Sequence, residues 1–166
     1  MARYFDVHPD NPQPRVISGV ADSLRSEALV AYPTDSCYAL GCRLGSRDGI
    51  DRIRSIRKLD DRHHFTLVCQ NFAQLGQFVQ IDNDVFRAIK AATPGRYTFI
   101  LPATKEVPRR LLHPKKKTVG VRIPDHVVDV VLDSGDCGTE PTTVIDFSGG
   151  EAEIVRSGAG DTSRFV

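Results

Sequence analysis

Five short runs rich in β-branched or aromatic residues set the limit on what this chain can build. They are Ala28–Tyr32, Phe65–Val68, Tyr97–Leu101, Val119–Ile123 and Thr143–Phe147, none longer than five residues. Runs of that length, bounded by turn residues, read as strands. Helical spacing fills the ground between them. Arg15–Ser26 puts Val16, Ile17, Val20, Ala21 and Leu24 on one face. Asp48 can cap a helix that carries Ile50, Ile53 and Ile56, with Arg52, Arg54 and Arg57 on a basic side. Asn71 begins a helix through Gln77. Asp82–Ala92 turns Val85, Phe86 and Ile89 inward until Pro94-Gly95 stops it. A last short strand, Glu153–Arg156, returns from Thr143–Phe147 across Ser148-Gly149-Gly150, which is a hairpin signal. Strands interleaved with helices define the α/β class. The hairpin adds antiparallel pairs, so the expectation is a single mixed sheet with flanking helices.

At 166 residues the chain is expected to form one domain, with a core that needs no covalent staples. Its net charge of +1 excludes a global polycationic field, so any nucleic-acid surface must be a local patch. No apolar run approaches the roughly 20 residues of a membrane span. The start, Met-Ala-Arg-Tyr-Phe-Asp, lacks the apolar stretch of a secretory signal, so a cytoplasmic location is expected. Cys37, Cys42, Cys69 and Cys137 form no C-x-x-C pair, which removes the common zinc spacings and leaves small buried thiols as the plain reading. Neither a P-loop nor a G-x-G-x-x-G turn occurs, so a nucleotide would have to be held by other means.

The segment Leu29–Cys42 breaks its own pattern. It opens as a strand, and Pro33 then withholds a ladder donor. Thr34, Asp35 and Ser36 place hydroxyl and carboxylate groups at a strand's C-terminal end, where open α/β sheets bind ligands. Tyr38 offers an aromatic wall with a polar tip. The same residues also suit a turn whose side chains satisfy their own backbone. Burying such groups unpaired costs about 1–3 kcal/mol, so ligand or backbone must meet them.

Tyr32-Pro33-Thr34-Asp35-Ser36-Cys37-Tyr38-Ala39-Leu40-Gly41 resembles the Tyr-Pro-Thr-Asp-Thr-Val-Tyr-Gly-Leu signature of the YrdC-like family, which includes the threonylcarbamoyl-AMP synthases. The likeness continues, in the family's order, through Pro94–Leu101, Val119–His126, Pro141–Asp146 and Ile154–Gly158. Thr104–Leu112 and Phe65-Thr66-Leu67 look more like the YciO branch than the synthases proper. The resemblance implies a twisted α/β sheet with an open, concave, basic face. In the synthase branch it implies that L-threonine and bicarbonate give N-carbamoylthreonine, whose carboxylate attacks the α-phosphate of ATP. Pyrophosphate leaves, and the adenylate goes on to modify an adenosine of tRNA. It assigns Thr34 and Tyr38 to the threonine end, Thr142 to a phosphate or carboxylate, and Arg156 to phosphate. Arg57, Lys58, His63, Thr66, Thr98 and Arg122 complete the implied nucleotide- and substrate-binding set. The implied ligand is ATP or AMP with Mg²⁺, the ion riding on the phosphates rather than on a protein metal site.

Two departures bear on activity. The synthases carry Lys-x-Arg-Pro after the helix near Gly49. Here the run is Arg57-Lys58-Leu59-Asp60, and Leu59 cannot make the bidentate contact of an arginine. His63 and His64, just downstream, either replace that contact in part or belong to a solvated loop. The family also has a Ser-x-x-Asn strand with flanking helices between the Val-Arg-Ile-Pro and Pro-Thr-Thr-Val blocks. Asp125–Glu140 is too short to hold it, with the junction near residues 127–129; either the segment is lost or this sequence omits it.

The connector between the Tyr97 and Val119 strands concentrates Arg109, Arg110, Lys115, Lys116 and Lys117 with no acid among them. It is either a solvated loop or a surface for the phosphate backbone of double-stranded RNA or tRNA, which needs cations and no base code. Three readings follow: a nucleotide- and RNA-binding member with weak or altered synthase activity, an active threonylcarbamoyl-AMP synthase, and an acyl-transfer enzyme using Cys37 or Cys69.

Overall fold

Pro14 opens α1 (Pro14–Arg25), where its fixed φ fits the first helical turn and its missing N–H is not needed. The face expected from spacing is the face that packs: Val16, Ile17, Ala21 and Leu24 gather with Phe5 and Val30 around buried Val7 and Val20. A computed structural model describes residues 2–8, 11–60, 63, 65–124 and 139–166. The described backbone forms two units, one within residues 2–60 and the other within residues 63–124 and 140–166. The expected family junction at 127–129, together with His64 and Cys137, lies outside the described residues.

In the first unit β1 (Val30–Tyr32) pairs antiparallel with β2 (Ala39–Gly41), Tyr32 facing Ala39 and Val30 facing Gly41. The apolar run that resumes after Pro-Thr-Asp-Ser is therefore the return strand of a separate two-stranded ladder. Helix α2 (Arg47–Arg57) follows. Its cap is Ser46, whose Oγ accepts the Gly49 N–H at 3.1 Å, so Asp48, expected as the cap, sits inside the first turn. There its carboxylate still suits the positive end of the helix. The helix ends with Lys58 in the left-handed region, φ 51°, while the Leu59 N–H reaches back to the Arg54 carbonyl at 3.0 Å.

The second unit holds β3 (Thr66–Val68), α3 (Phe72–Phe78), α4 (Asn83–Ala92), β4 (Tyr97–Pro102), β5 (Thr118–Arg122), β6 (Thr143–Asp146) and β7 (Glu153–Arg156). Asn71 and Asp82 cap the two helices through their side-chain oxygens. The strands form one five-stranded mixed sheet in the order β3-β5-β4-β6-β7. Pairs β3–β5 and β4–β6 are parallel; β4–β5 and β6–β7 are antiparallel. The α/β mixed-sheet expectation holds for this sheet. β3, an apolar run in sequence, lies at the sheet's edge, and Val68 is 49% exposed. The sheet's other surface is apolar. Leu67, Val119, Val121, Tyr97, Phe99, Leu101 and Ile145 alternate onto it, and Tyr97, Phe99, Phe147 and Phe165 meet ring to ring with centroids 5.6–6.2 Å apart.

Candidate functional site

The period of two along each strand sends the remaining residues to the opposite face, and that face is polar. One row across it reads Thr66 (β3), Gly120 (β5), Ile100 (β4), Asp146 (β6) and Glu153 (β7). In the next row Val68 faces Arg122 and Thr98 faces Val144, which faces Arg156. Arg122 comes opposite Thr98 by continuing the ladder one step from the Phe99–Val121 pair. Thr142, two residues before Val144, falls on the same side. Thr66, Thr98, Arg122, Thr142 and Arg156 are thus brought onto one face of one sheet.

Their contacts bear out the register. Thr98 and Thr142 share a buried hydrogen bond, Oγ1 to Oγ1, at 3.0 Å. Arg156 donates to the Thr142 carbonyl from Nε at 3.2 Å and Nη2 at 2.9 Å, with Nη2 also 3.5 Å from the Thr142 hydroxyl. A guanidinium forked on one carbonyl is held in position rather than left to roam. Arg122 is buried on the same face. Next to Thr142, Thr143 points the other way and does a different task. Its hydroxyl donates to the Gly160 carbonyl at 2.6 Å and accepts the N–H groups of Gly158 and Gly160, each at 3.0 Å. One side chain thereby ties the loop after Arg156 to β6.

The basic connector does not present its lysines alike. Arg109 and Arg110 stand exposed on a 3-10 turn, Arg109–Leu111, and Lys115 is exposed beyond them. The Lys117 ammonium donates to the Pro114 carbonyl at 2.8 Å. Lys116 instead reaches the polar face, its Nζ 3.3 Å from Asp146 Oδ2. Asp146 Oδ1 accepts the Ser148 N–H at 2.7 Å. Burial of the Asp146 carboxyl works to raise its pKa, but the Ser148 and Lys116 hydrogen bonds and the lysine charge outweigh it and hold the group below the usual carboxylate value. Asp146, Thr118 and Thr143 were left out of the expected set. An acid closing an apolar strand was the available signal for Asp146.

Thr34, Tyr38, Arg57 and Lys58 belong to the first unit. The Thr34 hydroxyl donates to the Cys37 carbonyl at 2.7 Å, lies 3.0 Å from Ser36 Oγ, and accepts from the Ser36 and Cys37 N–H groups at 3.2 Å. Its hydrogen-bonding capacity is spent on shaping the loop. Tyr38 is 49% exposed beside that knot. At Gly41 a Cβ would sit 2.9 Å from Tyr32 Cε1, so the Tyr32 ring would have to shift to admit it. Arg57 and Lys58 are exposed at the end of α2, and Leu59 follows them half-buried. His63 is exposed ahead of β3, edge-on to Phe65 at 6.0 Å.

Cys69 is fully buried, and burial pushes its thiol up to about 11, so it supplies no thiolate nucleophile near neutral pH. Among the described residues no group of three His, Cys, Asp or Glu is assembled, and no helix is long and apolar enough to cross a membrane.

Relatives share this fold. YciO of Escherichia coli K12 is 37% identical over 206 aligned positions, covering the whole of both chains, and its crystal structure superimposes with a TM-score of 0.93. That alignment is longer than the 166 residues here, so some positions of the relative have no counterpart in this chain. A threonylcarbamoyl-AMP synthase of Chromobacterium violaceum is 33% identical over 119 residues, spanning 71% of this chain and 61% of its own. Sua5 of P. abyssi, solved in complex with L-threonine, has a TM-score of 0.84 at 21% identity; 95% of this chain covers 58% of it, a likeness of fold. The family model named Sua5_yciO_yrdC, described as "Telomere recombination", matches residues 22–128. With its motifs, its sheet and these relatives in agreement, the chain belongs to the Sua5/YciO/YrdC family and is related to the threonylcarbamoyl-AMP synthases.

Proposed function

We propose that this chain is a YciO-type member that binds an adenine nucleotide on the polar face of its five-stranded sheet, with synthase activity weak or altered. The observation that carries the reading is convergence. Thr66, Thr98, Arg122, Thr142 and Arg156 come from all five strands or the residue leading into one, and they share one face. Hydroxyls and guanidiniums in that combination suit phosphate and carboxylate oxygens. Mg²⁺ fits this face only as a companion of the phosphates. Both Asp146 oxygens are engaged by Ser148 and Lys116, so this carboxylate is not free to hold the ion. Titration calorimetry with ATP and Mg²⁺ on the full chain should show saturable binding; absence of heat at millimolar nucleotide would refute the reading.

The second reading, an active threonylcarbamoyl-AMP synthase using ATP, L-threonine and bicarbonate, draws support from the likeness to the C. violaceum synthase and from Thr34 and Tyr38 at matching motif positions. Incubation with the three substrates, following pyrophosphate, separates it from the first.

The connector is proposed as an RNA backbone surface. Arg109, Arg110, Lys115 and Lys117 are all exposed. Each phosphate they engage should add about 0.7–0.9 to the slope of log affinity against log salt. Replacing Lys115 and Lys117 with Ala should therefore flatten the slope by about 1.5 units for a tRNA or a plain RNA duplex. Filter binding across a salt series measures it. Equal slopes for wild type and variant would reduce the connector to a solubilising loop.

A further inference from the structure

Lys115, Lys116 and Lys117 are alike in sequence, but the fold uses the middle one differently. Lys116 leaves the connector two residues before β5, and its ammonium meets Asp146 on β6, the strand on the far side of β4. The side chain therefore straps the connector across β4. The two ends of the strap are unequal. Asp146 is 8% exposed and its other oxygen holds the Ser148 N–H, whereas Lys116 is 55% exposed. The carboxylate is the fixed point, and the lysine is what it restrains. Glu153 faces Asp146 from β7, so the lysine also separates two carboxylates that would otherwise stand opposed.

The backbone around Lys116 is held as well. His113 Nδ1 accepts the Lys116 N–H at 3.1 Å, and the His113 carbonyl accepts the Lys117 N–H at 3.1 Å. The His113 N–H donates to the Thr118 carbonyl at 2.9 Å, and the Ala103 N–H donates to the Lys117 carbonyl at 3.1 Å. Lys117 then takes φ 56°, a left-handed conformation that a residue with a side chain holds where its surroundings impose it. His113–Thr118 is thus a closed turn, tied to β5 through Thr118 and to the end of β4 through Ala103. Lys115 and Lys117 are exposed on it, and Arg109 and Arg110 are exposed on the 3-10 turn before it. Cations fixed before a ligand arrives need no ordering on binding. Ordering one long side chain costs about two- to ten-fold in affinity. Lys116 is poorly placed to join the contacts, because a phosphate would have to displace the carboxylate that already meets its charge.

We infer that Lys116 is a positioning residue of the RNA-facing connector. Strapped to Asp146, it holds the His113–Thr118 turn so that Lys115 and Lys117 meet a duplex phosphate backbone, and it makes no phosphate contact of its own. The inference rests on the RNA reading above and divides its cations into those that touch RNA and one that places them.

Filter binding of a plain RNA duplex across a salt series tests it on the full chain. Affinity reports presentation and contacts together, whereas the slope reports the contacts. For Asp146→Asn the two roles predict opposite signs. The variant keeps an oxygen for the Ser148 N–H and removes one negative charge. A contacting Lys116, set free, would bind RNA more tightly. A positioning Lys116 loses its fixed point, and duplex affinity should fall about two- to ten-fold at an unchanged slope. Lys116→Ala should likewise weaken binding and keep the slope. A slope flattened by about 0.7–0.9 would make Lys116 a phosphate contact and overturn the inference. His113→Ala removes the acceptor for the Lys116 N–H and should weaken binding at constant slope. His113→Asn, whose side-chain oxygen can accept that N–H, should restore it. Amide hydrogen exchange at Lys116 and Lys117 reads the turn without RNA and should quicken in Asp146→Asn. If Asp146→Asn binds the duplex as tightly as wild type or more tightly, or leaves those amides equally protected, Lys116 does not position the connector, and the RNA reading stands without it. If wild type retains no duplex at any salt concentration, both fall.

Discussion

Gly158→Ala should lower the melting temperature by about 10 °C. A Cβ at this position would lie 2.2 Å from the Pro141 carbonyl oxygen and 2.8 Å from the Thr142 carbonyl carbon and oxygen. All three are backbone atoms and cannot rotate aside. Relief requires the loop to leave β6, and three hydrogen bonds at the Thr143 hydroxyl hold it there. The Ala159 N–H bond to Pro141, 2.9 Å, would go with them. Overpacking of this kind combined with stranded buried donors costs about 3–4 kcal/mol, and each kcal/mol moves a chain of this size by about 2–4 °C. Gly149 is the control: nothing lies within 4 Å of its added Cβ, so Gly149→Ala should melt with wild type. Thermal denaturation followed by circular dichroism reads both. A Gly158→Ala protein within 2 °C of wild type would mean that the loop yields at little cost.

Leu59→Arg is expected to raise formation of threonylcarbamoyl-AMP by about 10- to 100-fold. The figure corresponds to one charged, bidentate contact of roughly 1.5–3 kcal/mol acting in the transition state. The position is prepared for the exchange. Its N–H is fixed to Arg54 and the preceding Lys58 already takes the left-handed turn, so the backbone direction of residue 59 is set by the end of α2 rather than by its own side chain. Leu59 is only half-buried, so a long cation can extend into solvent without abandoning a core. Pyrophosphate release with ATP, L-threonine and bicarbonate gives the rate. A fast wild-type reaction, indifferent to the change, would show that the missing arginine is immaterial and would favour the active-synthase reading.

Periodicity made much of the fold legible. The spacing of Val16, Ile17, Val20, Ala21 and Leu24 marks the packed face of α1, and the side chains at Asn71 and Asp82 cap α3 and α4. What periodicity cannot supply is pairing and sidedness. Ala39-Leu40-Gly41 is too short to alternate, so the return strand β2 is invisible until Tyr32 is seen across from it. Ser46 outcompetes Asp48 as the cap because a hydroxyl placed one turn before Gly49 can reach its N–H. Thr142 and Thr143 are the same residue in adjacent positions, yet one joins the polar face and the other clamps a loop behind it. The same limit applies to the lysines. Nothing local distinguishes Lys116 from its neighbours, because its partner Asp146 arrives from a strand far along the chain.

The strand order carries a kinetic consequence. Of the four ladders in the five-stranded sheet, only β6–β7 is closed by a short turn; β3–β5 and β4–β6 are parallel and join segments distant in sequence. A two-stranded hairpin alone is marginal in water, so β6–β7 cannot hold until β4 arrives beside it. Chain diffusion must close the long loops before any parallel ladder bond can form, which places the second unit among slow folders, on the order of milliseconds to seconds. Thr66, Arg122, Thr98 and Arg156 become neighbours only when every one of those closures is complete. The phosphate ligand proposed for those strands would therefore find no partial site to nucleate. Its binding would act after the folding barrier, lengthening the lifetime of the native sheet while leaving the speed of its assembly unchanged.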